Sequence, residues 1–447
     1  MTGKNLAEEL EQALAEVPVF DIHTHLVGGR LGARGLHDIL LYHMVVSDLY
    51  GAGCPSGARL TQFPQWPGEP EAHGRIEEAL PFLAHIQNTS SFWGVRIILA
   101  QLYGCPWQEP VTAANWRALD GAIRERADDR AWHHSILDRL KIQRTGTELA
   151  RRGAGEDDAR LQYALEWAFF TRCQWGEYDT ALYELERCWG RSPESPSPIG
   201  SGARPPTERT IRSLADVHAA VAHYVNSIPY GQLLSTATHI STDINYRLVT
   251  EAEMESALSR RAKAGAAERD IYASYVNEIF LSALEKHGQE IVFQFSFGAE
   301  PLPYETGSRL SQQTIAQVAE MIARHPGLRF QCFLSSRHAN QSLCTLAREL
   351  PNFSLAGFWW HNFFPDVIRQ VMAERLDMLP TNRQVGFFSD AYCVEWTYAK
   401  AILVRKQMAQ VLAQKIEQGQ YSMAEALAIA RAILLESPKN LLGFVGR

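Results

Sequence analysis

Two histidines stand close together near the start of the chain, in the segment VFDIHTHL. His23 and His25 are two positions apart, so on a β-strand their side chains point the same way and reach one point. Paired imidazoles are typical ligands of Zn²⁺ and similar ions. The alternative is that both rings only cap a strand and bond to loop carbonyls. The apolar run before the pair and the two glycines shortly after it favour a metal site at a strand end.

A site built on two histidines needs a further ligand, and Asp390 is the best candidate. It ends QVGFFSD, the last of the apolar runs that resemble strands. In a closed barrel the last strand lies beside the first, so Asp390 would face the histidine pair. An Asp between a strand and a helix is also a common helix N-cap. Position alone leaves both interpretations of Asp390 open.

The elements that would position these residues are indicated by eight short apolar runs, each bounded by polar or turn residues. Such runs are typical of buried parallel strands. Amphipathic stretches such as SQQTIAQVAEMIARHP separate most of them, which predicts an α/β fold, a (β/α)₈ TIM barrel. The third run could equally be helical. The expected strands lie near residues 17–25, 139–146, 161–172, 231–242, 290–298, 328–336, 353–360 and 384–390.

Two segments are additional to the strands and helices that a minimal barrel needs. Residues 60–136 are predicted to form a helical insertion after the first strand, in which His133 and His134 have no partner motif and are expected at the surface. Residues 191–207, rich in Ser, Pro and Gly, predict a loop over the barrel mouth. With these insertions we expect a single barrel domain over residues 1–447.

The composition restricts the class of protein. The formal net charge of -7 over 447 residues argues against a nucleic-acid or anionic-membrane partner. The seven cysteines are odd in number and never spaced as CxxC, so we expect reduced thiols. The sequence has neither a signal-peptide pattern nor a long apolar run, and the cytoplasm is the expected location. It also has no Gly-rich phosphate loop that would predict nucleotide binding.

Several segments spread over residues 17–445 resemble uronate isomerases of the amidohydrolase superfamily. Besides DIHTH, the segment YHMVVSDLYGAGCP is similar to a family segment in which His is followed by Tyr-Lys-Trp-Arg. THISTDINYRL falls where the family has Asp-His-Gly, and FWWHNFFPDV resembles its Gly-Trp-Trp-Phe-Asn-Asp segment. FFSDAYCVEW resembles its Thr-Asp-Ser-Arg segment. The resemblance implies a (β/α)₈ barrel, a divalent metal (commonly zinc), and aldose–ketose isomerisation of a hexuronate such as glucuronate.

The resemblance also implies roles for individual residues. We expect the substrate to be a small sugar acid and the enzyme to be a homo-oligomer. The implied metal ligands are His23, His25 and Asp390; the implied catalytic residues are Asp390, His43 and His239; the implied substrate-binding residues are Arg172, Trp359 and Trp360.

Some of these residues have a plainly structural alternative. His43 lies in the apolar stretch LLYHMVVSDLY, where a core histidine bonded to a backbone carbonyl is common. Arg172 could equally be a surface residue or a salt-bridge partner. Trp359 and Trp360 could fill the core. Because adjacent strand residues point in opposite directions, only one of them should face the mouth.

The sequence departs from the family at positions that bear on its chemistry. Met44, Val45 and Ser47 replace the Tyr, Lys and Arg that follow the active-site His, and Ser296 replaces a family His. Tyr392 replaces the Arg after the terminal Asp, and is either a substrate contact or a cap of the next helix. Arginine is the usual partner of a carboxylate. A metal-dependent hydrolase or lyase of the same superfamily, acting on another sugar acid or carboxylate, therefore stays open.

Overall fold

Eight parallel strands form one sheet in chain order, β1 to β8. The structure is a computed structural model that describes residues 3–54, 69–152, 158–167, 179–189, 207–242, 244–288, 290–299 and 310–443. All eight predicted strands are confirmed, including the third. They are β1 Val19–Thr24, β2 Ile142–Glu148, β3 Leu161–Glu166, β4 Leu233–Ile240, β5 Val292–Phe297, β6 Arg329–Leu334, β7 Phe353–Ala356 and β8 Gln384–Val385.

The first and last strands meet through the backbone just beyond β8. The amide of Asp390 donates to the carbonyl of His23 at 2.9 Å, and the amide of His25 donates to the carbonyl of Ala391 at 2.8 Å. β8 itself is short because the amide of Gly386 bonds to the carbonyl of Ile433, in the C-terminal helical segment. The curled sheet and its helices match the predicted (β/α)₈ barrel.

Helices precede, separate and follow the strands. The predicted amphipathic stretch SQQTIAQVAEMIARHP contains the helix Gln312–Arg324, and a long helix, Val394–Glu417, follows β8. The α-helices are Gly3–Ala15, Leu36–Leu40, His43–Gly51, Glu69–Ala79, Ser90–Tyr103, Trp116–Arg124, Arg130–Arg139, Thr180–Cys188, Leu214–Ser227, Glu251–Ser259, Ala266–His287, Gln312–Arg324, Asn340–Glu349, Pro365–Met378, Val394–Glu417, Met423–Arg431 and Ser437–Leu441. Short 3₁₀ turns lie at Leu80–His85, Leu149–Arg151, Tyr230–Gln232, Arg261–Lys263, Arg337–Ala339, Trp360–Asn362 and Thr381–Arg383, and a π-helical turn at Ala432–Glu436.

Strand alternation sorts the buried side chains into two sets. Phe293, Phe295 and Phe297 of β5 belong to the large apolar cluster that includes the helices. Val292 belongs to a smaller cluster drawn mainly from strand residues and from segments just beyond them. This separation follows from the period of two along a strand. The smaller cluster contains Phe20, Ile22, Leu234, Val292, Ala299, Phe333, Ala356, Trp359, Val385, Phe388, Leu435 and Leu442.

A short chain of polar side chains crosses the strands in the buried interior. Ser235 donates to Gln294 Oε1 at 2.6 Å, and Gln294 Nε2 donates to Gln331 Oε1 at 2.8 Å. All three are fully buried. Their mutual hydrogen bonds offset the cost of removing them from water.

Helices between β1 and β2 pack on the helix Val394–Glu417. Ser90–Tyr103 approaches it closely at Gly94, where a Cβ atom would lie 2.6 Å from the indole of Trp396. The expectation of a surface His133 is wrong: the side chain is buried, and its Nε2 lies 3.0 Å from the carbonyl oxygen of Arg126. His134 is partly buried and lies 3.0 Å from Asp158.

Further findings concern membrane-spanning helices, cysteines and the residues outside the described ranges. No helix in the described part of the chain is long and apolar enough to cross a membrane. Six of the seven cysteines are described, and each is a free thiol. Arg172 and all but the last residue of the predicted loop at 191–207 fall outside the described residues.

Candidate metal centre

His23, His25 and Asp390 come together where the first and last strands meet. One potential ligand atom from each lies within 4.8 Å of the other two. Asp390 Oδ1 is 3.4 Å from His23 Nε2 and 3.2 Å from His25 Nε2. The three side chains are only 6–16% exposed. Two imidazole nitrogens and a carboxylate oxygen are a donor set suited to Zn²⁺ or a similar divalent ion.

Asp390 is held in an uncommon backbone conformation. Its φ is 53°, in the left-handed region that few residues other than glycine adopt. Its amide donates to the carbonyl of His23, and the hydroxyl of Tyr42 donates to its carbonyl at 2.7 Å. The following helix begins at Val394 with Cys393 at the N-cap position, so Asp390 does not cap it. Strain of this kind persists where surrounding contacts fix the backbone, often at functional sites.

Glu148, the last residue of β2, fixes the orientation of His25. Its Oε1 is hydrogen-bonded to His25 Nδ1, while His25 Nε2 faces Asp390. Arg151 Nε lies 2.8 Å from the other oxygen of Glu148. Metal-binding histidines commonly use their second nitrogen in this way. Sequence reasoning missed Glu148; the signal was an acidic residue just after a strand, in RTGTE.

The electrostatics favour a cation at this point. Burial would raise the pKa of Asp390, but the hydrogen bonds with His23 and His25 outweigh it and hold that pKa well below its usual range. Burial opposes ionisation of Glu148 too, yet the charges of His25 and Arg151 lower its pKa to about 2. Both carboxylates are therefore ionised at neutral pH. The residues present thus fit a divalent ion in both donor type and charge.

Glu166 adds a third carboxyl group to this end of the barrel. It ends β3, two residues beyond Ala164, whose strand partner is Glu148. Residues two apart share a face, so Glu166 lies on the same face as Glu148, further towards the mouth. Glu166 is exposed to solvent at this end of the strand, so the tendency of the surrounding protein and of the negative charge of Glu148 to raise its pKa is screened by water. The sequence did not predict this third carboxyl group.

His43 lies beside the centre as an uncharged imidazole. Its ring centroid is 5.1 Å from that of Trp360 and 5.8 Å from that of Tyr392. Burial, helped by the charge of Lys400, lowers its pKa to about 3. Neither ring nitrogen has a hydrogen-bond partner within the described part of the chain. The alternative of a core histidine bonded to a carbonyl is therefore not what the structure has.

The chain shares its fold with solved structures of other proteins. No family model matches the chain, and no curated protein matches it. Among solved structures, glucuronate isomerase from Caulobacter crescentus matches with a TM-score of 0.77 at 14% identity, covering 100% of this chain and 95% of that one. Uronate isomerase from Bacillus halodurans matches with a TM-score of 0.70 at 17% identity, covering 99% and 97%. The chain has the uronate isomerase fold.

A third similar structure is named as a different class of enzyme. A proposed metal-dependent hydrolase from Lactobacillus casei matches with a TM-score of 0.59 at 13% identity, covering 98% of both chains. At these identities the likeness establishes the uronate isomerase fold and leaves the reaction to the residues of the site.

The remaining predicted site residues contact one another through their rings. His239 in β4 has its Nδ1 2.9 Å from Ser296 Oγ, and its ring centroid is 5.8 Å from that of Trp359. Trp359 is buried, and its ring is 5.8 Å from that of Trp360 in a T-shaped contact. β7 ends at Ala356 and Trp360 has a φ of 44°, so the pair does not follow strand alternation. Trp359 therefore approaches His239, while Trp360 approaches His43.

Tyr392, where the resemblance would place an arginine, stacks on His25. The ring centroids are 4.6 Å apart and the planes differ by 18°. The guanidinium of Arg151 lies over the ring of Tyr392, 5.5 Å from the ring centroid. Tyr392 thus helps to hold a metal-ligand candidate in place, a contact that its position in the sequence did not indicate.

Lys400 is a buried cation that sequence reasoning also missed. It lies on the helix after Asp390, and its Nζ is 5.1 Å from the ring centroid of Tyr42 and 4.8 Å from that of Phe363. No carboxylate of the described residues lies within ion-pair distance of it, and burial lowers its pKa to about 8 although Asp390 and Asp21 favour its charge.

Proposed function

We propose that this protein is a metal-dependent isomerase that interconverts the aldose and ketose forms of a hexuronate. The observation that carries the proposal is the convergence of His23, His25 and Asp390 at the seam of the barrel, the junction of its first and last strands. The whole chain shares its fold with proteins named as uronate and glucuronate isomerases, which supports the choice of reaction.

The divalent ion, for which zinc is our first choice, would be held by His23, His25 and Asp390. When bound, it supplies Lewis-acid polarisation of the sugar oxygens. Orientation of the ligands falls to the chain itself, through the hydrogen bond between Glu148 and His25.

Conversion of an aldose to a ketose moves one proton from C2 to C1 and another from the C2 hydroxyl to the C1 oxygen, through an enediol. Neither ring nitrogen of His43 has a hydrogen-bond partner among the described residues, so we assign to this imidazole the proton that moves between the carbons. Asp390 is ionised, so its carboxylate can take the hydroxyl proton and return it to the C1 oxygen. His239, Trp359, Trp360 and Tyr392, with Arg172, are proposed to contact the sugar.

The test is incubation of the metal-loaded protein with a panel of hexuronates in D₂O. Ketose formation and deuterium incorporation at the transferred position are followed by NMR. His43→Gln should keep metal binding and lose most of the turnover, since a positioned general acid–base group contributes about 10²–10⁴-fold. Absence of turnover on every hexuronate by the metal-loaded wild type would refute the isomerase.

A hydrolase on the same centre is the second candidate. The Lactobacillus casei structure favours it, as do Val45 and Ser47, where the resemblance would place Lys and Arg. In this case the metal centre would supply a nucleophilic water, and Asp390 would accept its proton. Metal-dependent cleavage of lactones, esters or amides, without isomerisation of hexuronates, would select this function.

A further inference from the structure

The proposed substrate carries a carboxylate, yet the basic residues that the resemblance leads one to expect are Val45, Ser47 and Tyr392 in this chain. We propose that Arg151 binds the substrate carboxylate at the mouth of the barrel. This inference rests on the proposed function and names the residue that selects an acid over a neutral sugar.

Arg151 stands immediately after the carboxyl end of β2. It ends the 3₁₀ turn Leu149–Arg151, at the end of the barrel where active sites of this architecture lie. Its guanidinium is 5.5 Å from the ring centroid of Tyr392, and Tyr392 is in turn stacked on His25 at 4.6 Å. Tyr392 and Glu148 therefore each contact both the guanidinium and His25, a candidate metal ligand.

The guanidinium has donors that the protein does not use. The ion pair with Glu148 is made through Nε, at 2.8 Å from Oε2. Within the described residues no acceptor is bonded to either Nη, and the side chain remains 17% exposed. Two parallel N–H groups on a planar fork match the two oxygens of a carboxylate. The two Nη groups are thus available, and they are the donors that suit the carboxylate of a sugar acid.

Arg151 is also fixed before any substrate arrives. Its carbonyl accepts a hydrogen bond from the amide of Gly28 at 2.8 Å, in the turn that follows the histidine pair. Gly28 is required at this contact, because a Cβ atom there would lie 1.9 Å from the carbonyl oxygen of Arg152. Glu148 and Tyr392 fix the side chain. A group held in its binding conformation loses less entropy when the ligand binds.

Lys400, a second cation near the centre, is less suited to this task. Lys400 is only 2% exposed and its Nζ lies between the rings of Tyr42 and Phe363. A substrate carboxylate would have to displace that packing to reach it. The geometry therefore favours Arg151.

The experiment measures binding of D-glucuronate and D-glucose to the metal-loaded full chain by calorimetry. These two sugars differ only at C6, as a carboxylate and an alcohol. We expect the wild type to prefer the acid by about 100-fold, from two charge-assisted hydrogen bonds. Arg151→Ala should reduce this preference to about threefold or less, with glucose binding unchanged, and Arg151→Lys should restore only part of it because it lacks the fork.

Arg152→Ala is the matched control. Arg152 is the next residue, but its guanidinium bonds to Gln232 at 3.0 Å and lies over Tyr163. This variant should keep the full preference for the acid. Metal content is measured for every variant, because a change in the centre would weaken both sugars equally, as we expect for His23→Ala.

The outcomes separate this inference from the proposed function. A wild type without preference for the acid, or an Arg151→Lys variant that retains metal and the full preference, overturns the role of Arg151. If hexuronates are isomerised but Arg151→Ala weakens both sugars alike, Arg151 fails while the isomerase stands. If the acid preference depends on Arg151 but no hexuronate turns over, the isomerase fails while Arg151 stands.

Discussion

Replacing Lys400 by Met should stabilise the protein at neutral pH. The lysine is 2% exposed, lies between two aromatic rings and has no carboxylate within ion-pair distance in the described part of the chain. Methionine has a similar length and no charge, so it can occupy the same space without the cost of burying an ammonium group.

The size of this effect follows from the pKa of Lys400. Burial lowers it from 10.5 to about 8, even though Asp390 and Asp21 act in the opposite direction. At about 1.4 kcal/mol per pKa unit, the charged lysine costs about 3 kcal/mol of folding free energy. The unfolded chain binds more protons than the folded one between about pH 8 and 10.5. Stability of the wild type should therefore rise across that window, while the full cost is present below it.

The assay is urea unfolding of wild type and Lys400→Met at several values between about pH 7 and 10.5. The variant should be more stable by about 3 kcal/mol at the lower end, and the difference should shrink towards the upper end. Lys406→Met is the control, because Lys406 lies on the same helix, is 39% exposed and pairs with Glu11 at 3.2 Å. Its effect should stay within about 1 kcal/mol. A destabilised Lys400→Met variant, or a difference that does not change with pH, would refute the reasoning.

Three further predictions concern the metal centre and its supports. Zn²⁺ at about 100 times its Kd should raise the free energy of unfolding by about 2.7 kcal/mol, as measured by chelator-controlled unfolding; an equal rise in His23→Ala would contradict the assignment of this ligand. Glu148→Gln should weaken metal affinity by about 10–100-fold in a competition assay, because the hydrogen bond that orients His25 is altered; unchanged affinity would remove Glu148 from that role. Gly28→Ala should lower the melting temperature, since its Cβ would lie 1.9 Å from the oxygen of Arg152, whereas Gly74→Ala, in open space within a helix, should not; equal melting temperatures would show that the turn can move away.

The fold was predictable because parallel strands buried on both faces leave continuous apolar runs. The histidine pair was predictable because its spacing of two is visible locally, and Asp390 because barrel closure joins the last strand to the first. In both cases a local pattern and a simple topological rule were sufficient.

The supporting residues could not be found in this way. Glu148, Glu166 and Arg151 become neighbours through the register of β2 and β3 and through a turn, none of which a single segment reveals. Lys400 looks like a residue on the solvent side of a helix, but its helix is covered by other helices. His133 was misassigned for a similar reason. A Cβ atom on residue 32 would lie 2.0 Å from its imidazole, so the glycine at that position makes room for the buried ring.

The seam between the first and last strands has a consequence for biosynthesis. Ser389 donates to Asp21, a residue 368 positions earlier, at 2.9 Å, and the candidate ligands are divided across the same seam. A ribosome must therefore release almost the whole chain before the centre can assemble. Until then β1 has an open edge of the kind that pairs with other chains. Nascent chains that stop short of Asp390 should be retained by chaperones or degraded, and metal supplied during translation should be incorporated only after the last strand has emerged.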